Sequence, residues 1–281
     1  MTPFYNYEQG LPYPVSREEW QKLEPEVQDA LIESGWHPGG GNLKGFPLPL
    51  HPAPVLHEIS VLDHGFVRLD DWIGDDLGVV NSARVSLGIK KEILDQADKG
   101  LIGFLMRERH GTPFEHNAFK WHIGLPIFVA REYMRHRIGS FNELSGRYKK
   151  FEDPDFYIPS KENFRTQAGK PGAYSFEQWK GNTRQAQALM ERHYHDCYEL
   201  YDYFITTGMA KEQARIVLPL SLYTEFYWTV NARSLMNFLS LRNAPQALYE
   251  IRVYAEAIEK IWSEKMPVTT QAFIDNGRIA P

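Results

Sequence analysis

The sequence is poor in several features that would each point to a class of protein. It has one cysteine, Cys197, in 281 residues, so no internal disulfide can form and no cysteine-rich zinc or iron–sulfur site can be built. A reducing, cytoplasmic setting is the expectation. No apolar run approaches the roughly 20 residues that a membrane helix needs, and no basic segment followed by an apolar stretch opens the chain. A basic excess is also missing: 31 Lys and Arg face 36 Asp and Glu, for a formal net charge of −5. Chains that wrap nucleic acid or coat anionic membranes usually carry the opposite balance, so any basic site here must be local. Gly39, Gly40 and Gly41 have neither P-loop nor dinucleotide-fingerprint spacing, and no repeat period is visible.

What is present is enough apolar material for a core, with 43% hydrophobic and 24% charged residues. Half of the 18 prolines fall before residue 55, which marks residues 1–57 as an appendage to a body at 58–281. Within the appendage, Ser16 and Glu19 form a capping box, Pro25 opens a second helix to about Ser34, and Trp20, Leu23, Val27 and Leu31 are docking candidates. The stretch from His37 to Pro54 reads as extended loop. The body begins with strands at Ile59–Leu62 and Gly65–Leu69. Residues 91–109 suggest two short helices interrupted by Gly100. Ala118–Leu125 alternates as a half-buried strand, and Pro126 opens a helix to about His136. Ser175 and Gln178 head a long helix ending at Gly208, residues 210–217 form a short one, and Leu220–Val230 is a strand. Asn231 caps a helix to Arg242, and Pro245 starts the last, to Lys265. The fold class is α+β, a sheet with packed helices.

The most unusual stretch runs from Arg135 to Tyr148, where Arg135, His136, Arg137 and Arg147 crowd around Asn142, Glu143 and Ser145. Such cations repel one another unless anions sit among them, and guanidinium forks suit phosphate. Gly139 and Gly146 allow close approach of a ligand to backbone. A solvated basic face is the plain alternative.

This stretch resembles the signature of flavin-dependent thymidylate synthases: Arg135-His136-Arg137, seven residues, then Ser145. The similarity extends from about Leu62 to Pro267. It takes in Ala83-Arg84-Val85-Ser86, His110-Gly111-Thr112-Pro113-Phe114-Glu115-His116, Ala214 to Pro219, Asn231 to Leu239, and Leu241-Arg242, all in the family's order. The resemblance implies an α/β fold on a mixed sheet, assembled as a homotetramer whose active sites draw on more than one subunit. It implies methylation of C5 of dUMP, with methylenetetrahydrofolate as one-carbon donor and FAD recharged by NADPH. No catalytic cysteine is needed, and Cys197 is expected to be a buried, inert thiol.

Residue by residue, the resemblance gives Arg135 contacts to nucleotide and flavin, and His136 and Arg137 contacts to the flavin. Glu143, Leu144, Ser145, Gly146 and Arg147 line the nucleotide loop, Glu143 also facing the flavin, Ser145 standing beside the pyrimidine and Arg147 on the phosphate. Arg215 also holds the nucleotide. Arg242 is the activating residue, whose charge favours loss of the N3 proton. Thr112, Asn231, Ala232, Arg233 and Asn237 match flavin contacts, and His110 the histidine beside the isoalloxazine. Taken singly, Thr112 is also a turn residue, Asn231 a helix cap and Asn237 a surface amide. Two positions depart from the pattern. Glu132 stands where Gln is well known near the pyrimidine, and Gln246 stands where a flavin-contacting His is common.

Three other readings compete. A metal hydrolase built on His193, His195, Asp196 and Cys197 is weakened because residues two apart on a helix point in nearly opposite directions, so no metal site is expected. An RNA-binding module on Arg135–Lys150, with Phe141, Tyr148 and Phe151 stacking, conflicts with the acidic balance. A related methylase acting on UMP shares the whole motif.

Overall fold

The computed structural model describes residues 4–6, 11–13, 58–170 and 173–281. The chain divides into two compact units, Met1–Val55 and Leu56–Pro281. In the first, β1 (Phe4–Asn6) pairs antiparallel with β2 (Leu11–Tyr13); the two helices and the extended loop expected between residues 16 and 54 lie outside the described residues, as do the docking residues Trp20 to Leu31.

The second unit is organised by alternation. In β5 (Ala118–Pro126), Phe119, Trp121, Ile123 and Leu125 are all fully buried while Lys120 is exposed. Phe226, Trp228 and Val230 repeat the pattern in β9 (Tyr223–Asn231). These strands lie beside one another in a five-stranded sheet of order β3-β4-β5-β9-β6, where β3 is Glu58–Val61, β4 is Gly65–Ile73 and β6 is Ser140–Glu143. Every junction is antiparallel. The mixed sheet implied by the resemblance is therefore corrected: β5 and β6 run parallel to one another, but both pair with β9 rather than with each other.

Helices cover one face of this sheet. Asp75 caps α1 (Asp76–Arg84), which the sequence reading missed, and a reciprocal pair of Asp95 and Asp98 caps α2 (Gln96–Arg107). The α2 helix runs straight through Gly100 where two helices were expected, because Ile102, Leu105 and Met106 bury one face and offset the glycine's low propensity. Then come α3 (Ile127–Tyr133), α4 (Thr183–Thr206), the single turn α5 (Lys211–Ala214), α6 (Ala232–Arg242), α7 (Tyr249–Lys265) and α8 (Pro267–Asp275). The helices α3, α6 and α7 pack on the sheet, while α8 packs on α2 and α7. The start of α8 is tied down by the buried Asp76 carboxylate, which accepts from Val268 N and Thr269 N at 2.8 Å each.

Four boundaries differ from expectation. Ser175–Gln178 is no capping box: Ala173–Gln178 forms β8, paired with β7 (Arg165–Lys170), and α4 starts instead at the Asn182 cap. Residues 140–143, expected as loop, become an edge strand on β9. The helix opened by Pro126 ends at Tyr133, not His136. The last long helix begins at Tyr249 rather than Pro245, and α8 follows it unforeseen. Cys197 is half-buried rather than buried; burial and the neighbouring Asp196 still push its thiol pKa up, away from reactivity. No helix among the described residues is long and apolar enough to cross a membrane.

Candidate active site

Tyr133 closes α3 with its ring fully buried against Phe226, Trp228 and Phe238, at centroid distances of 5.5, 5.5 and 4.6 Å. That anchor fixes where the chain leaves the helix. It leaves Arg135 and Arg137 exposed and His136 half-buried, edge-on to Phe238 at 5.1 Å. Arg242, the last residue of α6, arrives at the same place. Its Nε donates to His136 Nε2 at 3.0 Å, its Nη1 to the Glu132 carboxylate, and its Nη2 to the Glu132 main-chain carbonyl at 3.3 Å.

This arrangement settles the state of His136. A guanidinium only donates, so Nε2 is the accepting lone pair and the ring proton sits on Nδ1. Burial first, then the charges of Arg242 and Arg135, lower the His136 pKa to about 4, against an opposing pull from Glu132. The imidazole is neutral at physiological pH. Among the described residues, Arg135 and Arg137 form no ion pair.

A second group gathers after β6. Glu143 accepts from Thr224 Oγ1 at 2.9 Å, and Leu144 N donates to Glu225 O at 2.9 Å. Ser145 O then accepts from Tyr148 N and Lys149 N, making a tight turn in which Ser145 Oγ receives Arg147 N at 3.3 Å. Gly146 is buried inside it: a Cβ there would lie 2.8 Å from the Phe151 ring and 3.1 Å from Arg215 Cδ. Arg147 meets Glu212 at 2.9 Å, with both side chains more than half exposed at 56% and 52%. Such a pair is readily given up to a better anion. Arg215 is exposed, its Nε donating to Glu212 O at 3.4 Å.

The third group lies at the start of α6. Asn231 is the helix cap, its Oδ1 accepting from Ser234 N at 2.8 Å, and Ala232 is buried with its N–H on Asn117 O. Arg233 pairs with Glu115 and donates to Pro281 O at 3.0 Å. Gly111 lies directly against that guanidinium, where a Cβ would come within 2.4 Å of Nε. His110 is exposed and edge-on to Phe104 at 5.6 Å; Thr112 and Asn237 are exposed.

Folding thus joins Glu132, His136 and Arg242 directly, and separately joins Ser145, Gly146, Arg147 and Arg215. No hydrogen bond, ion pair or ring contact among the described residues links these two groups. The clefts between α2 and α8, at Lys99, Arg107 and Gln271, and between β3 and α7, at Ile59, Val253 and Lys260, contain none of the motif residues. Reading the sequence missed Tyr133, Thr224 and Glu212, and placed Phe238 in a matched stretch without giving it a role. Only Glu212 carried a signal, three residues before Arg215 on one helical turn. On α4, exposed His195, Asp196 and Glu199 hold ligand-type atoms within 4.8 Å of one another; His195 and Glu199 share a face at i,i+4, while His193 instead contacts Cys197.

The sequence profile of the family described as thymidylate synthase complementing protein matches residues 68–268, which include all three groups. The chain belongs to this family. Among its relatives are the flavin-dependent thymidylate synthases of Thermosipho melanesiensis, 49% identical over 77% of this chain and 93% of that one, and of Tropheryma whipplei, 49% identical over 76% and 94%. The enzyme of Thermus thermophilus is 46% identical over 76% of this chain and 77% of its own. Among solved structures, a UMP/dUMP methylase from Streptomyces cacaoi bound with 5-Br dUMP superposes with a TM-score of 0.73 at 40% identity, covering 79% of this family member and all of that chain. The same methylase bound with 5-Br UMP gives 0.71.

Proposed function

We propose that this family member is a flavin-dependent thymidylate synthase, methylating C5 of dUMP to give dTMP with methylenetetrahydrofolate as one-carbon donor. The observation that carries the reading is Arg242 held by Glu132 and His136 at the Arg-His-Arg motif, next to Arg135 and Arg137, whose guanidiniums form no ion pair among the described residues. The donor set suits a flavin dinucleotide. Arg135 and Arg137 would hold its anionic groups, His136 Nδ1–H, Thr112 and Asn237 would supply uncharged contacts, and His110 would stand beside its ring. When bound, FAD supplies the redox chemistry, recharged by NADPH.

The protein's own residues then have distinct tasks. Arg147 and Arg215, with N–H groups of the turn at Gly146, bind the nucleotide phosphate as forks and fixed dipoles. Ser145 and Leu144 line the pyrimidine. Arg242 sets positive charge beside the ring, where it favours release of the N3 proton and pushes electron density toward C5. Removing one such preorganised donor typically costs about 3 kcal/mol of barrier lowering. Neutral His136 accepts from Arg242 without adding a competing charge. That no hydrogen bond, ion pair or ring contact among the described residues links the Arg242 group to the Arg147–Arg215 group supports sites shared between copies in a homotetramer.

Tritium release from C5-labelled dUMP, in the presence of FAD, NADPH and methylenetetrahydrofolate, is the direct test. A protein that releases none, and that stays colourless with added FAD, overturns the reading. A second reading, methylation of UMP, is favoured by the complexes of the Streptomyces methylase with both halogenated nucleotides; the same assay with labelled UMP measures the preference.

A further inference from the structure

Glu132 is the one acid in a stretch whose other charged members, Arg131, Arg135 and Arg137, are cations. It is also the residue that grips Arg242, by its carboxylate on Nη1 and its own main-chain oxygen on Nη2, while His136, four residues further on, receives Nε. Three of the five guanidinium N–H groups are thus engaged, all by the exit of α3. Among the described residues, one N–H on each terminal nitrogen has no acceptor and is open to a ligand. The pair is partly shielded, with the Arg242 and Glu132 side chains 18% and 31% exposed, so its charges act on each other with less screening than a surface pair has.

We propose that Glu132 is the positioning residue for Arg242: it pins the guanidinium in the orientation that leaves those two N–H groups outward, and its negative charge tempers the field Arg242 exerts on the nucleotide. The inference rests on the thymidylate synthase reading for what Arg242 does. A long, flexible arginine without this clamp samples several rotamers, and catalysis by a charged donor depends on its being fixed before the charge develops. A carboxamide at position 132 keeps an acceptor for Nη1 but deletes the opposing charge. Glu132→Gln therefore separates orientation from charge, which Glu132→Ala removes together.

The experiment compares wild type, E132A and E132Q as flavin-loaded full-length protein, by tritium release from labelled dUMP and by calorimetric titration with dUMP at low and high salt. E132A is expected to lose about 100-fold in kcat with a smaller change in KM, and E132Q to regain most of that loss. E132Q is also expected to bind dUMP about three- to tenfold more tightly than wild type at low salt, the gain fading as salt screens it. Wild-type kcat in E132A, or an E132Q as slow as E132A, overturns the positioning role. Equal dUMP affinity in E132Q and wild type at low salt overturns the charge role. Should E132A not fold, E132Q alone decides, since a residue needed only for folding gives a rescue without any salt-dependent gain in affinity. A wild type that neither turns over nor binds dUMP is failure of the functional reading itself, visible before any variant is compared.

Discussion

Arg242 and His136 show how one contact sets the chemistry of both partners. The guanidinium takes the Nε2 lone pair, so a second ring proton has no place without breaking the bond. Folded His136 accordingly takes its proton near pH 4, against about 6.5 for an unfolded histidine. Between those values the unfolded chain binds a proton that the folded chain refuses, so this residue's contribution makes stability fall as pH drops from about 6.5 toward 4. In His136→Gln that part of the slope disappears. Its urea midpoint should fall less between pH 7 and pH 5 than that of wild type, and an equal fall refutes the assignment. Arg242→Ala is expected to lose at least 100-fold in turnover, on the scale of one lost electrostatic donor, with the flavin absorbance band retained. Near-normal turnover in that variant removes Arg242 from the mechanism.

Among the elements, α2 is the informative case. Gly100 sits within it on the exposed side, with open space around it. Helix formation there comes from the buried stripe of Ile102, Leu105 and Met106 and from the Asp95–Asp98 cap. Asp98 is fully buried, and the bonds it receives from Lys91, from the Asp95 backbone and from Arg84 outweigh its burial, so its carboxyl stays well below the usual range. Because nothing opposes a methyl group at position 100, Gly100→Ala should stabilise the protein by about 0.5–1 kcal/mol. A lower thermal midpoint in that variant contradicts the packing described. The edge strand β6 is the opposite case: its sequence is charged and polar, and it becomes a strand because Phe141 stacks on Trp228 at 5.9 Å and lets β9 accept it.

At the level of the whole molecule, no hydrogen bond, ion pair or ring contact among the described residues joins the candidate group at Arg242 to the candidate group at Arg147 and Arg215. If a site takes Arg242 from one copy and Arg215 from another, then Arg242→Ala and Arg215→Ala proteins, each inactive, should regain turnover when co-assembled. Random pairing restores about a quarter of the sites. A mixture as inactive as its components means that all groups act from one chain.

The sequence by itself determined the family, the motif residues and most element types, because these depend on local facts: the alternation of Phe119, Trp121 and Ile123, the cap at Asn231, the break at Gly208 and the spacing from Arg135 to Ser145. It misplaced the helix start at Ser175, since Ser and Gln three apart cap a helix only if no partner strand competes, and β7 does compete. The antiparallel pairing of β6 with β9, the grip of Glu132 and His136 on Arg242, the burial of Tyr133 and the lack of a direct contact, among the described residues, between the Arg242 and Arg147–Arg215 groups were decided by the tertiary structure alone. Each depends on which residues distant in the chain are brought within a few ångströms, and hydrogen bonds and screened charges act only over that range.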